Sequence, residues 1–240
     1  MVELNFNAGD EVRLRLAQEE LDGIVLESPD TSILLLKLKS GYNIGILREN
    51  ILAGRVLKKV ERVQKEDKKT PSILKKEGLP VLGLVVTGGT IAAKLDAKRG
   101  GTSWLTDISE LARFYPELFE MAHIKNIDVP FMTSSEAMTS EHWIKIAESV
   151  KKMVDDSEIQ GVIVTHGTDF LHYTAAALSF FLQDLSKPVV LTYSQRSIDR
   201  ASSDAHLNLV CAARAALSDA AEVILVGHAS LNDDYCYALR

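Results

Sequence analysis

The chain has 240 residues, enough for one large domain or for one small and one medium domain, and its 46% hydrophobic and 25% charged residues are ample for a buried core in a soluble protein. A formal charge of −6 gives no general support for direct nucleic-acid binding, which favours a basic face. No apolar run approaches the roughly 20 residues of a spanning helix and Met1–Asp10 is not a signal peptide, so no membrane association and a cytoplasmic location are expected.

Residues 1–56 alternate and turn like a small β-barrel of SH3 or Tudor type. Strands are predicted at Glu11–Ala17, Leu21–Glu27, Ser32–Lys39, Tyr42–Leu47 and Ile51–Val56, punctuated by Gly9-Asp10, Ser28-Pro29-Asp30 and Ser40-Gly41. Such a module is more often a docking platform than an enzyme. Nucleic-acid contact is the alternative, but few aromatics interleave with basic residues here.

A charged linker, residues 57–78, follows. Between Arg55 and Gly78 there are nine Lys or Arg against four Asp or Glu, with Pro71 near the end. A solvated linker or surface helix is the plain reading, and a basic strip that steers a partner complex carrying nucleic acid is the other.

From residue 79 to 240 strands and helices alternate, which predicts an α/β domain with a parallel sheet covered by helices on both faces. Strands are expected at Val81–Val86, Ile124–Val129, Gly161–Val164, Pro188–Tyr193 and Glu222–Val226. Helical patterns occupy Ile108–Phe119, Glu141–Val154, Leu171–Leu182 and Ala205–Leu217. In the second helix Trp143, Ile146, Ala147, Val150, Met153 and Val154 form one apolar face, with Thr139 or Ser140 as the cap. Core packing accounts for the Trp and the Met. Cys211 and Cys236 lack metal-ligand spacing and read as structural or incidental thiols of a reducing compartment.

Two strand ends carry chemistry. Leu82–Ala93 (LGLVVTGGTIAA) runs an apolar strand into Thr87-Gly88-Gly89-Thr90, and Gly161–Asp169 (GVIVTHGTD) runs another into Thr165-His166-Gly167-Thr168-Asp169. Glycines let the main chain approach other groups closely, and open α/β sheets collect ligands at the carboxyl ends of their strands. Paired hydroxyls, glycines and one carboxylate at two strand ends suit two halves of one hydrolytic site. Taken alone, the Gly-Gly pair would read as a simple strand-to-helix turn. His166 is tempting as a base, yet a single His in a turn is more often structural. No His/Cys/Asp/Glu cluster has metal spacing, so no metal is expected in the site.

These blocks resemble the TGGTI and HGTD signatures of the bacterial-type L-asparaginase family. Ser134-Ser135-Glu136-Ala137-Met138 and Ser194–Asn208 (SQRSIDRASSDAHLN) are similar to the glutaminase subunits of archaeal Glu-tRNA(Gln) amidotransferases, a branch of that family; the resemblance covers roughly residues 80–240, and the small leading domain fits it. The resemblance implies Thr90 as nucleophile, with the N–H groups around Gly88 and Gly89 forming an oxyanion hole. It implies Thr168 as activator of water or the carbonyl, and Asp169 as holder of the substrate's α-ammonium group. Ser135 and Glu136 would bind the α-carboxylate and α-ammonium ends.

Three departures from the family pattern stand out. The loop Lys94–Thr106 has no Tyr to activate the nucleophile. Phe170-Leu171 follow the HGTD motif where relatives carry Thr and a small or apolar residue. No Lys follows Lys187, whereas the family's catalytic Lys and a smaller second domain come after the segment resembling Ala229–Arg240. The expectation is therefore an asparaginase-like α/β domain without the second domain, catalytically incompetent on its own.

The function implied is release of ammonia from glutamine or asparagine and its transfer to an amidotransferase partner subunit (GatE-like). No cofactor is expected in this subunit; ATP and Mg would be used by the partner, tRNA would be met through it, and a homodimer is expected. A free-standing asparaginase and a non-catalytic docking remnant of the fold are the competing readings. The leading β module favours the amidotransferase subunit, since a free-standing asparaginase would not need it.

Overall fold

A computed structural model of the chain describes residues 6–28, 30–59, 78–96, 101–105, 108–230 and 234–240. The chain divides into two compact units, Met1–Lys68 with Leu95–Ser103 and Lys69–Lys94 with Trp104–Arg240. Most of the 57–78 linker, with its basic strip, lies outside the described residues.

The amino-terminal unit contains five strands, β1 (Glu11–Arg15), β2 (Glu20–Leu26), β3 (Ile33–Leu38), β4 (Asn43–Leu47) and β5 (Ala53–Lys58), in the antiparallel order β4-β3-β2-β1-β5. Period-two alternation explains the sheet: Val12 and Leu14 are buried while Glu11, Arg13 and Arg15 are not. Val25, Leu34, Leu36, Ile46 and Ile51 join them in one core. Arg13 faces Asp22 across the β1–β2 register, with a paired contact at 2.6 and 2.7 Å. That hydrogen-bonded pairing, more than simple charge proximity, holds the Asp22 carboxyl below its ordinary range.

The larger unit holds β6 (Val81–Val86), β9 (His123–Asp128), β10 (Gly161–Thr165), β11 (Val189–Thr192), β12 (Val223–His228) and β13 (Cys236–Leu239) in the order β13-β12-β11-β10-β6-β9. All pairs are parallel except β12–β13. A separate two-stranded ribbon, β7 (Ala93–Asp96) with β8 (Gly101–Trp104), follows the first glycine motif. It occupies much of the Lys94–Thr106 segment, of which residues 97–100 and 106 lie outside the described residues.

The helices are α1 (Ile108–Phe114), α2 (Pro116–Met121), α3 (Ser140–Val154), α4 (Leu171–Phe181) and α5 (Ala205–Ala216). Strand side chains alternate between two cores. Leu84, Ile163, Val190 and Ile224 pack with Leu111, Leu118, Leu209 and Ala213 of α1, α2 and α5. Val85, Val164 and Leu191 pack with Ile146, Val150 and Leu178 of α3 and α4. Both faces of the parallel strands are thus covered, which is why their sequences are continuous apolar runs. At roughly 1.5–3 kcal/mol for each fully buried aliphatic side chain, these two cores dominate the stability of the unit.

The helix expected over Ile108–Phe119 is in fact two. Pro116 begins α2, and Tyr115 before it takes φ −126° and ψ 56°, as a residue preceding proline avoids helical geometry. Thr139 precedes α3, and its N–H donates to His142 Nδ1 at 3.1 Å, a His standing where a capping box usually has Glu or Gln. Among the described residues no helix is long and apolar enough to cross a membrane.

Candidate functional site

Sheet topology fixes where a ligand would sit. After β6 the chain goes outward to β9, then crosses back to β10 on the other side of β6. The crevice between the carboxyl ends of β6 and β10 is therefore a topological switch point, the usual binding place of doubly wound sheets. The two threonine motifs leave the sheet there.

Main-chain contacts knit three segments together at that crevice. Thr87 N–H and Oγ–H both donate to the Thr165 carbonyl, at 3.3 and 2.8 Å. Thr133 N–H donates to the Thr87 carbonyl at 3.1 Å, bringing in the segment after β9. A Cβ on Gly88 (φ 120°) would lie 2.4 Å from the Thr133 carbonyl oxygen, and one on Gly89 (φ 79°) 2.5 Å from both Gly167 N and His166 O. A Cβ on Gly167 would lie 2.9 Å from Ser135 Oγ. The glycines are thus needed for close approach as well as for their dihedral angles.

Each motif has an inner and an outer threonine. Thr87 and Thr165 are buried, while Thr90 and Thr168 are half-buried, and Asp169 and Glu136 are exposed. The Thr87 hydroxyl spends its proton within the protein, on the Thr165 carbonyl, which leaves Thr90 as the outward member of its pair. Thr90 opens a 3-10 turn, Thr90–Ala92, closed by Ala92 N–H to the Gly89 carbonyl at 3.1 Å. Tyr115 fastens that turn from beneath, its hydroxyl donating to the Ile91 carbonyl at 2.7 Å. Burial, with a lesser push from the Asp204 charge, raises the Tyr115 hydroxyl well above its ordinary range, so it stays protonated as this donor.

Ser135 is 1% exposed, and its Oγ accepts the Phe170 N–H at 3.2 Å. It joins the segment after β9 to the start of α4 and retains its own proton for one further bond.

His166 is fully buried, and both ring nitrogens are engaged. Nδ1 stands 2.8 Å from the Gly167 carbonyl, which can only accept, so the proton sits on Nδ1. Nε2 then accepts from Thr174 Oγ at 2.8 Å, and Thr174 in turn accepts from Trp143 Nε1 at 2.9 Å. Burial pushes the imidazole below its ordinary range and keeps it neutral. His166 is a strut, as its isolated place in a turn suggested. Trp143 does more than pack: it ends this polar chain, and nothing in its helical spacing signalled that. Among the described residues no group of three or more His, Cys, Asp or Glu could hold a metal ion.

Two exposed carboxylate residues, two half-buried threonines and glycine-lined backbone thus belong to segments joined at one strand-end crevice, the kind of place where open sheets bind small ligands.

The family description "Asparaginase, N-terminal" matches residues 81–233, and "GatD N-terminal domain" matches residues 6–57. The GatD-type (D) subunit of the glutamyl-tRNA(Gln) amidotransferase of Pyrococcus abyssi is 44% identical over 245 residues, covering 99% of this chain and 55% of that protein. Its namesake from Archaeoglobus fulgidus is 41% identical over 232 residues, covering 97% of this chain and 53% of that protein. A crystal structure of a probable cytoplasmic L-asparaginase from Campylobacter jejuni superposes with a TM-score of 0.54 at 29% identity, covering 65% of this chain and 52% of that one. The chain spans about half the length of the curated relatives it matches.

Proposed function

The chain belongs to the asparaginase family, and from that premise we propose that it forms part of the glutamine-hydrolysing subunit of a tRNA-dependent amidotransferase. The observation that carries the reading is the joining of Thr87–Thr90, Thr133–Glu136 and Thr165–Phe170 at one switch point, in a chain whose leading residues match the GatD N-terminal domain. In this reading Thr90 attacks the side-chain amide and N–H groups at Gly89 receive the oxyanion. Thr168 activates the water or carbonyl, Asp169 and Glu136 hold the α-ammonium group, and Ser135 supports the α-carboxylate end. The ammonia released passes to a partner subunit that spends ATP with Mg on Glu-tRNA(Gln).

The leading five-stranded unit, a small barrel of SH3 type in this reading, serves assembly rather than chemistry. A second copy of the chain is a further partner: Tyr173, Ala176 and Phe180 form a seam on α4 at i, i+3 and i+7 whose aromatic members are 51% and 74% exposed.

Glutamine and asparagine hydrolysis by the whole protein, measured with and without partner subunit and Glu-tRNA(Gln), tests this. Glutamine turnover that rises when both are present is expected. Asparagine turnover indifferent to them would identify a free-standing asparaginase, and no turnover of either amide would leave a docking protein.

A further inference from the structure

Beside the glycine motifs, the ends of β11 and β12 carry a polar assembly that the chemistry above does not use. Asp204 is fully buried immediately before α5. Its Oδ1 accepts the Arg196 N–H at 2.9 Å, and Oδ2 accepts the Gln195 N–H at 2.8 Å and Asn208 Nδ2 at 3.1 Å. His228 Nδ1 stands 3.1 Å from Oδ2, and Arg196 Nε 3.5 Å from Oδ1. Asn208 extends the assembly, donating to the Tyr193 carbonyl at 2.9 Å and accepting from Cys236 Sγ at 3.5 Å.

Asp204 occupies the N-cap position of α5, yet its side chain makes no capping bond to that helix. Both oxygens turn back toward the preceding loop instead. Burying a carboxylate is costly, and an apolar core or an ordinary cap would serve stability better. The loop has turn bonds of its own, Arg200 N–H to the Ser197 carbonyl and Ser203 N–H to the Arg200 carbonyl, both at 3.0 Å, and Ser203 Oγ–H to the Arg196 carbonyl at 2.9 Å. These shape the loop but do not tie it to the sheet; Ser194 Oγ at its start is buried without a hydrogen-bond partner, and the carboxylate with its charge-assisted bonds is the strong link to α5 and β12.

What the loop borders gives the assembly its meaning. His166 N–H donates to the Thr192 carbonyl at 2.9 Å, and Thr165 lies beside Thr192 in the parallel register. The end of β11 therefore runs alongside the Thr165–Asp169 segment. We propose that Asp204 is a positioning residue that holds the Gln195–Ser203 loop as the β11-side wall of the amino-acid pocket, acting on substrate binding rather than on bond breaking. This rests on the hydrolase reading above.

The test uses the whole protein and two independent readouts, amide hydrogen exchange at Gln195 and Arg196 and the KM and kcat for glutamine. Asp204→Asn keeps the size but removes the charge and one acceptor. Exchange at the two amides should accelerate about ten-fold and KM should rise about ten-fold, with kcat within about three-fold of wild type. His228→Leu should do the same more weakly, while His228→Asn, which keeps a donor near the Nδ1 position, should stay near wild type. If Asp204→Asn does not fold, the His228 pair carries the test on the same criteria. Unchanged exchange, or faster exchange with unchanged KM, overturns the proposal, as does a fall in kcat at constant KM. A wild-type protein that hydrolyses neither amide would instead overturn the hydrolase reading, and exchange at the two amides would still report whether Asp204 holds the loop.

Discussion

Between β6 and β10 the carboxyl edge of the sheet is joined main chain to main chain, through Thr87, Thr133 and Thr165 and past three glycines. At β11 and β12 the same edge is joined through side chains, with Asp204, Asn208 and His228 as the links. At Gly88 and Gly89 the first region cannot accept a Cβ without moving backbone, while the second can trade one polar group for another. Close backbone packing gives fixed geometry and frees the outer hydroxyls of Thr90 and Thr168. A side-chain assembly gives a wall that substitution can tune.

The sharpest way to separate architecture from chemistry on the glycine side is Thr90→Ala. Thr90 is half-buried, and the turn it opens is held by Gly89, Ala92 and Tyr115 rather than by its own hydroxyl. Amide hydrolysis should fall on the order of 10³-fold or more while the urea midpoint barely moves. Equal turnover by wild type and variant would remove Thr90 from the chemistry.

Gly89→Ala tests the backbone half of the comparison. Gly89 has φ 79° and ψ 167°, a region that only glycine occupies readily, and its added Cβ would meet two backbone atoms at 2.5 Å. A destabilisation of about 3 kcal/mol or more is expected, with loss of activity, because neither neighbour is a flexible side-chain end. A variant as stable as wild type would mean that the crevice is looser than its contacts indicate.

The inner threonines give a smaller and more discriminating contrast. Thr87→Val removes a buried hydroxyl that bonds the Thr165 carbonyl and should cost about 1–3 kcal/mol. Thr165→Val removes a buried hydroxyl with no partner and should be neutral or stabilising. Urea titrations at constant m-value decide both. Equal losses would show that the Thr165 hydroxyl is paired after all.

Much of this was written in the sequence, for identifiable reasons. Parallel strands buried on both faces leave continuous β-branched runs, so β6, β10 and β11 are visible as 4–6 residue segments. The two threonine–glycine motifs are visible because glycine is required at fixed positions next to strand ends. By contrast, β13 is a four-residue edge strand with three exposed positions and no pattern to read. The burial of Ser135 and its bond from the Phe170 N–H were not legible, because the two residues are 35 positions apart in sequence. The Asp204 assembly draws on positions 195, 204, 208 and 228, which only the fold brings together.

The smallest expected effect concerns His166 and appears only in acid. Its imidazole is depressed below the ordinary value of 6.5, first by burial, with the Gly167 carbonyl opposing. Protonation would also place a hydrogen on Nε2, which now accepts from Thr174, and the Thr174 hydroxyl would have to turn. The unfolded chain therefore takes up a proton at a pH where the folded chain does not. Stability is fully present above pH 6.5 and declines as pH falls below it, toward the lower folded value. His166→Gln can keep a donor toward Gly167 but cannot titrate, so its stability should fall less than that of wild type between pH 7.5 and about pH 5. The comparison must be of slopes, because the variant has its own offset from the altered chain to Thr174 and Trp143. Parallel wild-type and variant curves would show that His166 charges in the folded protein as easily as in the unfolded one. It would then no longer be a neutral strut, and the proton placement inferred from the Gly167 carbonyl would have to be redrawn.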